Sequence, residues 1–186
     1  MAQKRKDWNG LISGFKASDL VFLDESGCNT DMTRRYAYSL GGSRAVDSAP
    51  LSKPKNTTIL SSIQTLRYTT FSGGTTVERF KRYLETDLLP HLNGNSVLIM
   101  DNMKSHHAKA VRNLLDSSGV RYIYLPPYSP DLNPIEKLWS KVKSFLRKFK
   151  ARTLDALPNA IQCAFQTVSP SDCSGWFHSC GYSPYF

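Results

Sequence analysis

The sequence predicts an α/β fold in which a mixed central sheet is flanked by helices. Two wholly apolar runs, residues 20–23 and 97–100, are typical of strands that are buried on both faces of a sheet. A helical pattern lies between them, and a helical crossover of this kind joins parallel strands. Segments rich in β-branched and aromatic residues follow the first run and indicate antiparallel strands in the same sheet.

Length and composition narrow the class of protein. The 186 residues fit one domain, and the 40% of hydrophobic residues argue against disorder. Because 24 Lys and Arg residues outnumber 15 Asp and Glu residues, the net charge of +9 favours a polyanionic partner, with nucleic acid the first choice. The sequence shows no secretory signal and no apolar run long enough to span a membrane, so we expect no membrane partner and a cytoplasmic location.

The four cysteines show no paired spacing and are predicted to be small buried residues rather than disulfide bridges. A zinc site at Cys173, His178 and Cys180 is a much weaker alternative, because the spacing is irregular and a fourth ligand is missing.

The first half of the chain is predicted to hold an antiparallel meander and a helix. Glycine and proline residues separate three strand patterns, at residues 20–23, 36–39 and 57–66. A turn at residues 71–74 closes this section. Thr75 and Glu78 fit a capping box that starts a helix, and its apolar residues recur at helical spacing until Pro90.

The second half is predicted to alternate strands and helices. The strand at residues 97–100 ends at Asp101, and the helix that follows is terminated by Gly119. A strand at residues 120–125 leads into a proline-rich segment, residues 126–134, which is predicted to be an extended loop.

A long amphipathic helix is predicted after this loop. Asn133 suits the N-cap and Pro134 the first helical position, so Glu136 lies in the first turn. The apolar stripe consists of Ile135, Leu138, Trp139, Val142, Phe145, Leu146 and Phe149. A last helix over residues 154–168, interrupted near Pro158, precedes an end rich in Ser, Pro and Gly. Together these elements suit a ribonuclease-H-like sheet.

Two acidic residues are predicted to meet at one edge of this sheet. Asp24 ends the first strand and Asp101 ends a parallel one, and neighbouring strands lie about 4.8 Å apart. Carboxylates this close repel each other unless a cation lies between them, and oxygen ligands select Mg²⁺ or Mn²⁺. Glu136 on the long helix would complete a site for two ions that act on a phosphodiester.

Each of these residues also has a purely structural interpretation. An Asp after a strand is usually a turn or cap residue, and Glu136 suits the positive end of a helix dipole. Histidines at a helix start, here His106 and His107, are more often solvated or capping than catalytic. Taken one at a time, none of these residues establishes a site.

Basic residues crowd the long helix. The predicted DNA-binding set is Lys137, Lys141, Lys143, Arg147 and Lys148. We expect these cations to hold phosphates and to contribute little to the reading of base sequence.

Three acidic motifs occur in order along the chain. Residues 23–27 are Leu-Asp-Glu-Ser-Gly, and residues 99–102 are Ile-Met-Asp-Asn, with His106 following. Residues 124–139 are Tyr-Leu-Pro-Pro-Tyr-Ser-Pro-Asp-Leu-Asn-Pro-Ile-Glu-Lys-Leu-Trp. These motifs resemble those of DDE transposases of the mariner superfamily, especially its bacterial six-thirty insertion-sequence family. The 34 residues of segment 102–135, between the second and third acids, match the spacing for which that family is known.

The resemblance implies a ribonuclease-H-like fold and a metal-dependent activity that cleaves DNA and transfers strands during transposition. The implied catalytic metal ligands are Asp24, Asp101 and Glu136, with two Mg²⁺ or Mn²⁺ ions. Asn102 and His106 match supporting positions, whereas Glu25 and Asp131 beside the motifs are not expected to bind metal.

The resemblance also implies a division into a basic N-terminal segment, residues 1–19, and a DDE catalytic domain, residues 20–186. Family members carry amino-terminal helix-turn-helix domains, for which 19 residues leave no room. The expected partners are therefore transposon-end and target DNA, and either a second copy or a chain that carries the helix-turn-helix domain. The expected place of action is the bacterial nucleoid.

Two other functions stay open. The chain could be a catalytically silent, truncated transposase fragment that binds DNA or a full-length transposase, or it could be a host nuclease of the same fold. A phosphate-loop nucleotide hydrolase is disfavoured, because no glycine-rich loop followed by Lys and Ser or Thr occurs.

Overall fold

The computed structural model describes residues 2–34, 36–51 and 54–182, and only the backbone of residues 2–6. One sheet contains the strands β1 (Leu20–Asn29), β2 (Asn56–Ile63), β3 (Arg67–Ser72), β4 (Val97–Met100) and β5 (Arg121–Tyr124). The α-helices in the described residues are α1 (Ala2–Ile12), α2 (Val77–Tyr83), α3 (Lys109–Ser118), α4 (Ile135–Phe149), α5 (Ala156–Gln166) and α6 (Pro170–Ser179).

Strand β1 lies at the centre of the sheet, in the order β3-β2-β1-β4-β5. On one side β2 and β3 pair antiparallel, and on the other side β4 and β5 pair parallel. Because Leu23 pairs with Met100 across β1 and β4, the next residues on the two strands, Asp24 and Asp101, come to the same edge. The predicted α/β fold with a mixed central sheet is confirmed.

Helices cover both faces of the sheet, because successive side chains of β1 point to opposite faces. Phe22 packs with residues of α4, α5 and α6 in the larger core. Val21 and Leu23 pack with residues of α2 and α3 in the smaller core. Trp8 of α1 is buried and belongs to the larger core.

Strand β1 is longer than predicted. It continues past residues 20–23 to Asn29, because its antiparallel pairing with β2 extends that far. The prediction that Asp24 ends the strand is therefore wrong, since this residue lies within it. An apolar run marks only the part of a strand that is buried on both faces.

The strand predicted at residues 36–39 is wrong. These residues belong to no strand, and the side chains of Tyr36 and Tyr38 are almost fully exposed. Aromatic residues favour a strand only where they pack against a partner, and here they have no buried face.

The hairpin of β2 and β3 is placed differently from the prediction. Instead of continuing to residue 66, β2 ends at Ile63, and Gln64, with a φ of 82°, begins the turn. Residues 67–72 form β3, so the turn predicted at residues 71–74 begins only at Gly73, with a φ of 78°.

Helix α2 begins one residue later than predicted. The hydroxyl of Thr76, rather than Thr75, accepts the N–H of Arg79 at 3.3 Å, so the predicted capping box with Glu78 is wrong. The helical path then continues through a π-helical turn, Leu84–Leu88, and a 3-10 turn, Leu89–His91.

The start of α4 differs by one residue from the prediction. A 3-10 turn, Pro130–Leu132, interrupts the segment predicted to be extended, and Pro134 is the N-cap. Asn133 provides no side-chain cap, because its buried Oδ1 has no hydrogen-bond partner. The placement of Glu136 in the first turn is confirmed.

The C-terminal part is more helical than predicted. Helix α5 runs without interruption, because Pro158 lies in its first turn, where a missing N–H costs nothing. The prediction that this helix is the last one is wrong, since α6 begins in the Ser-, Pro- and Gly-rich end with a capping box between Ser169 and Asp172.

Helix α1 lies within the predicted basic segment, for which no element was predicted. The division between residues 1–19 and 20–186 stays a prediction. Among the described residues, no helix has both the length and the apolar character needed to cross a membrane. All four cysteines are free thiols, as predicted, although Cys163 and Cys173 are only half-buried.

Candidate active site

A cavity of about 600 Å³ lies where β1 and β4 bring their acidic residues together. Its lining includes all three carboxylates that the motifs single out, which are Asp24, Asp101 and Glu136. The proline-rich segment after β5 also lines this cavity, at residues 126–130. Tyr128 in that segment has a left-handed backbone, with a φ of 56°, and so bends the chain there.

Asp24 is buried and held at both carboxylate oxygens. Its Oδ1 accepts the N–H of Glu25 at 2.7 Å, and its Oδ2 accepts the indole N–H of Trp139 at 3.2 Å. Burial raises the pKa of Asp24 to about 7, and the charges of Glu25 and Asp101 add to this, against the effect of the two hydrogen bonds. The folded protein therefore resists ionisation of this carboxyl group.

Asp101 is oriented by His106. Its Oδ1 lies 2.9 Å from His106 Nδ1 and accepts the N–H of Met103 at 2.9 Å. Burial acts to raise the pKa of Asp101, but these two donors outweigh it and hold the pKa below its ordinary value. Asp101 and Asp24 are therefore neighbouring acids whose pKa values are shifted in opposite directions.

His106 is fully buried and bridges two acids. Its Nε2 lies 3.1 Å from Oε1 of Glu25, and its ring stacks on Phe80 with the centroids 4.2 Å apart. Burial acts to lower the pKa of His106, but Asp101 and Glu25 raise it to about 9. The imidazole therefore carries a positive charge at neutral pH and donates a hydrogen bond to each acid.

Glu136 and Asn102 are the other two predicted site residues that line the cavity. Glu136 is exposed in the first turn of α4 and lines the cavity. Asn102 donates from Nδ2 to the carbonyl oxygen of Leu125 at 2.5 Å, which joins the end of β4 to the end of β5. Asn102 thus contacts the backbone where the proline-rich wall begins.

A family model described as DDE superfamily endonuclease matches residues 19–158, which are 140 of the 186 residues. The chain belongs to the DDE superfamily endonuclease family. Asp24, Asp101 and Glu136 all lie inside the matched part of the chain.

Two kinds of relative agree with this membership in the DDE family. The Tc1 transposase of Caenorhabditis elegans is 29% identical over 97 residues, which are 50% of this chain and 36% of that protein. A pre-cleavage Mos1 transpososome has a TM-score of 0.82 at 19% identity, over 97% of this chain and 59% of that chain. The catalytic domain of Mos1 mariner transposase has a TM-score of 0.72 at 17% identity, over 96% and 86%.

These similarities confirm the predicted ribonuclease-H-like fold and the resemblance to mariner-type DDE transposases. The bacterial six-thirty branch stays a prediction. The chain spans about a third of the Tc1 protein and less than two thirds of the chain in the Mos1 transpososome.

Two residues of this DDE site were not predicted from the sequence. Trp139 was assigned to the apolar stripe of a helix, and it is indeed buried, but its N–H reaches Asp24. Glu25 was set aside as a neighbour of a motif, yet it lines the cavity and contacts His106. A prediction that β1 continues past Asp24 would have drawn attention to Glu25. Adjacent strand residues point to opposite faces of the sheet, so Glu25 points away from Asp24 and contacts His106.

The five predicted DNA-binding residues of the DDE domain lie on two sides of α4. Lys143 and Arg147 line a groove beside the end of β1. The other three, Lys137, Lys141 and Lys148, line a cleft beside α6. In that cleft the Lys141 ammonium lies 2.5 Å from Oδ2 of Asp172, and this hydrogen bond lowers the pKa of Asp172 to about 2.

The donors around the DDE cavity suit a hard divalent cation, because the acids offer carboxylate oxygens. Oε2 of Glu25 is buried without a hydrogen-bond partner. In the part of the chain that the structure describes, no three His, Cys, Asp or Glu side chains stand close enough to hold one ion. Asp101 is bonded to His106, and Glu136 is exposed at the cavity.

Proposed function

We propose that this chain is the catalytic part of a transposase, which cleaves DNA phosphodiesters and transfers the freed strand to target DNA. The observation that carries the proposal is the single cavity lined by Asp24, Asp101 and Glu136 in a DDE endonuclease domain. Tc1 and Mos1 are themselves named as transposases, which supports transposition as the process.

We further propose Mg²⁺ or Mn²⁺ as the cofactor, two ions in number, with Asp24, Asp101 and Glu136 as the residues that hold them. Mos1 paired-end complexes described with Mn and with Mg support this choice of metal. The chemistry that bound ions supply is activation of the attacking hydroxyl group and stabilisation of the leaving oxygen. Glu136 lines the same cavity from the first turn of α4 and would supply the third carboxylate.

The other residues around the cavity set charge and orientation. Protonated His106 fixes the Asp101 carboxylate and offsets its charge and that of Glu25. Trp139 fixes one oxygen of Asp24 from the helix that also carries Glu136 three residues earlier, so one rigid element positions two of the three acids. Asn102 keeps the ends of β4 and β5 together beside the proline-rich wall.

The proposal includes DNA as the partner. Mos1 structures described as a paired-end complex with a left transposon end and as a strand transfer complex support it. The protein partner in this proposal is a second copy of this chain or a separate chain with a helix-turn-helix domain, and the latter would read the terminal repeats. Action at the bacterial nucleoid stays part of the same proposal.

The experiment that tests the function is a nicking assay. The probe is a duplex that carries the inverted repeats flanking the gene, incubated with Mg²⁺, Mn²⁺ or EDTA and with a helix-turn-helix chain supplied. We expect nicks at the repeat ends with either metal and none with EDTA. Salt-dependent DNA binding without any nick would instead favour the silent fragment, and equal cleavage of an RNA hybrid would favour a host nuclease.

Replacing Trp139 by Phe is expected to weaken Mn²⁺ binding by about tenfold or more, the usual cost of losing a group that orients a metal ligand. The change keeps an aromatic ring in the core but removes the N–H that holds Asp24. Isothermal titration of the protein with Mn²⁺ measures this affinity without reference to cleavage. Trp176→Phe removes an indole that lines the cleft beside α6 rather than the cavity, and it serves as the matched control. Equal Mn²⁺ affinity in all three proteins would show that Trp139 has only a packing role.

A further inference from the structure

A second groove, of about 820 Å³, follows the active site along β1 and α4. One wall is the end of β1, Gly27–Asn29 in sequence, together with residues 31–34 and Tyr36. The other wall is α4, at Lys143, Ser144 and Arg147. We call this feature the β1–α4 groove.

The segment that forms the outer wall of the β1–α4 groove is held in place. The guanidinium group of Arg152 donates to the carbonyl oxygens of Thr30 and Met32, at 3.0 and 3.2 Å. The side chain of Asn29 accepts the N–H of Asp31 at 3.0 Å. These contacts join the segment to β1 and to the residues after α4, so the groove has two built walls.

The β1–α4 groove carries an excess of positive charge. Arg34 lies on the outer wall, and Lys143 and Arg147 lie one helical turn apart on α4, against a single acid in the lining, Asp31. Lys143 and Arg147 stand apart from the cleft in which Lys141 is paired with Asp172. The groove thus offers cations on both sides to a polyanion.

The same two elements connect the active site to the groove. Along β1, Cys28 lies four residues beyond Asp24, which is about 13 Å of strand. Along α4, Lys143 lies seven residues beyond Glu136, which is about 10 Å of helix. A polynucleotide strand with its reacting phosphate at the acids would therefore reach the groove within a few nucleotides.

We propose that the β1–α4 groove binds one unpaired strand of DNA next to the reacting phosphate. Arg34, Lys143 and Arg147 would contact the phosphates, and the exposed ring of Tyr36 at the groove offers a base a stacking surface. A cationic groove with an aromatic ring is the usual design for single-stranded nucleic acid. The position of the strand rests on the proposed function, but its binding in the groove does not require cleavage.

The test compares two pairs of substitutions on the same helix. Lys143→Gln with Arg147→Gln removes two charges from the groove, and Lys137→Gln with Lys148→Gln removes two charges from the cleft beside α6. Fluorescence anisotropy with a labelled oligo(dT) of about 16 nucleotides, in EDTA, measures Kd over a range of salt concentrations. Thermal melting shows whether each variant remains folded.

We expect the groove pair to weaken binding by about tenfold and to reduce the salt slope by about 1.4, which corresponds to two phosphate contacts with a single strand. The pair beside α6 should weaken binding less than twofold. Arg34→Gln on the opposite wall should weaken binding by about threefold. Tyr36→Ala should weaken it by about five- to tenfold with an unchanged salt slope, since it removes only stacking.

Equal losses from the two pairs would overturn the proposal, as would tighter binding of a duplex of the same sequence that depends on the groove pair. No binding of the oligonucleotide by the unaltered chain would overturn it too. Because EDTA is present throughout, these outcomes are independent of nicking. A chain that never nicks DNA can still bind the oligonucleotide in the groove, and a chain that nicks DNA can still fail to bind it there.

Discussion

Glu136→Gln is expected to lower the rate of metal-dependent DNA nicking by about a thousandfold. The substitution keeps the shape of the side chain but removes the charge of one carboxylate, and a metal ion at such a site contributes several kcal/mol to transition-state stabilisation. Each 1.36 kcal/mol corresponds to a factor of ten in rate. Because Glu136 is exposed, the substitution should change the free energy of unfolding of the protein by less than about 1 kcal/mol.

Single-turnover nicking at saturating Mn²⁺ and urea denaturation measure the two quantities. Asp131→Asn is the matched control, because this exposed acid lies in the turn before α4 but outside the lining of the cavity. We expect that variant to nick DNA at the rate of the unaltered chain. If Glu136→Gln also nicked at that rate, the assignment of Glu136 to the active site would be wrong.

Asp24→Asn is expected to stabilise the metal-free protein at pH 8 by about 2–4 kcal/mol, or about 5–10 °C in Tm, even though it should abolish nicking. Burial raises the pKa of Asp24 from 3.8 to about 7. Ionisation of this buried carboxyl group above pH 7 therefore costs free energy in the folded state only. An amide of nearly the same shape avoids that cost. Its NH2 group cannot accept one of the two N–H donors that hold Asp24, but this loss is the same at every pH.

The effect should depend on pH in a definite direction. Between about pH 4 and pH 7 the folded protein keeps a proton on Asp24 that the unfolded chain has lost. The stability of the unaltered chain therefore falls as the pH rises through this window and stays low above it. Asn cannot titrate, so the free energy of unfolding of the variant relative to the unaltered chain should be lowest at pH 4 and highest at pH 8.

Asp101→Asn is the control with the opposite sign. Hydrogen bonds from His106 and Met103 hold the pKa of Asp101 below its ordinary value, so loss of its charge should destabilise the protein at pH 8.

Mn²⁺ should raise the Tm of the unaltered chain at pH 8 more than it raises the Tm of the Asp24→Asn variant. Thermal melts at both pH values measure these changes, and an equal gain for Asp24→Asn at pH 4 and pH 8 would contradict the explanation.

Local sequence patterns predicted much of the fold, and they failed where long-range contacts decide. The runs at residues 20–23 and 97–100 predicted two central strands, because burial on both faces leaves a continuous apolar run. The same criterion missed the extension of β1 to Asn29, since pairing with β2 holds that part of the strand. A different criterion, richness in aromatic and β-branched residues, assigned a strand to residues 36–39, where Tyr36 and Tyr38 are exposed.

The order and spacing of the motifs predicted Asp24, Asp101 and Glu136 as one set, and the strand patterns predicted the mixed sheet that brings two of them to one edge. The groups that surround these acids are set by contacts between distant segments. The hydrogen bond from Trp139 to Asp24 joins residues 115 positions apart, and that from His106 to Glu25 joins residues 81 apart.

The tertiary structure likewise divided the basic residues of α4 between the β1–α4 groove and the cleft beside α6. The helical repeat fixes the direction in which each side chain leaves α4. Packing of the helix on the sheet decides which element that side chain meets. Motif spacing reflects which residues the strands and helices bring to one site. Contacts between distant segments depend on the free energy of the whole core, which no local pattern contains.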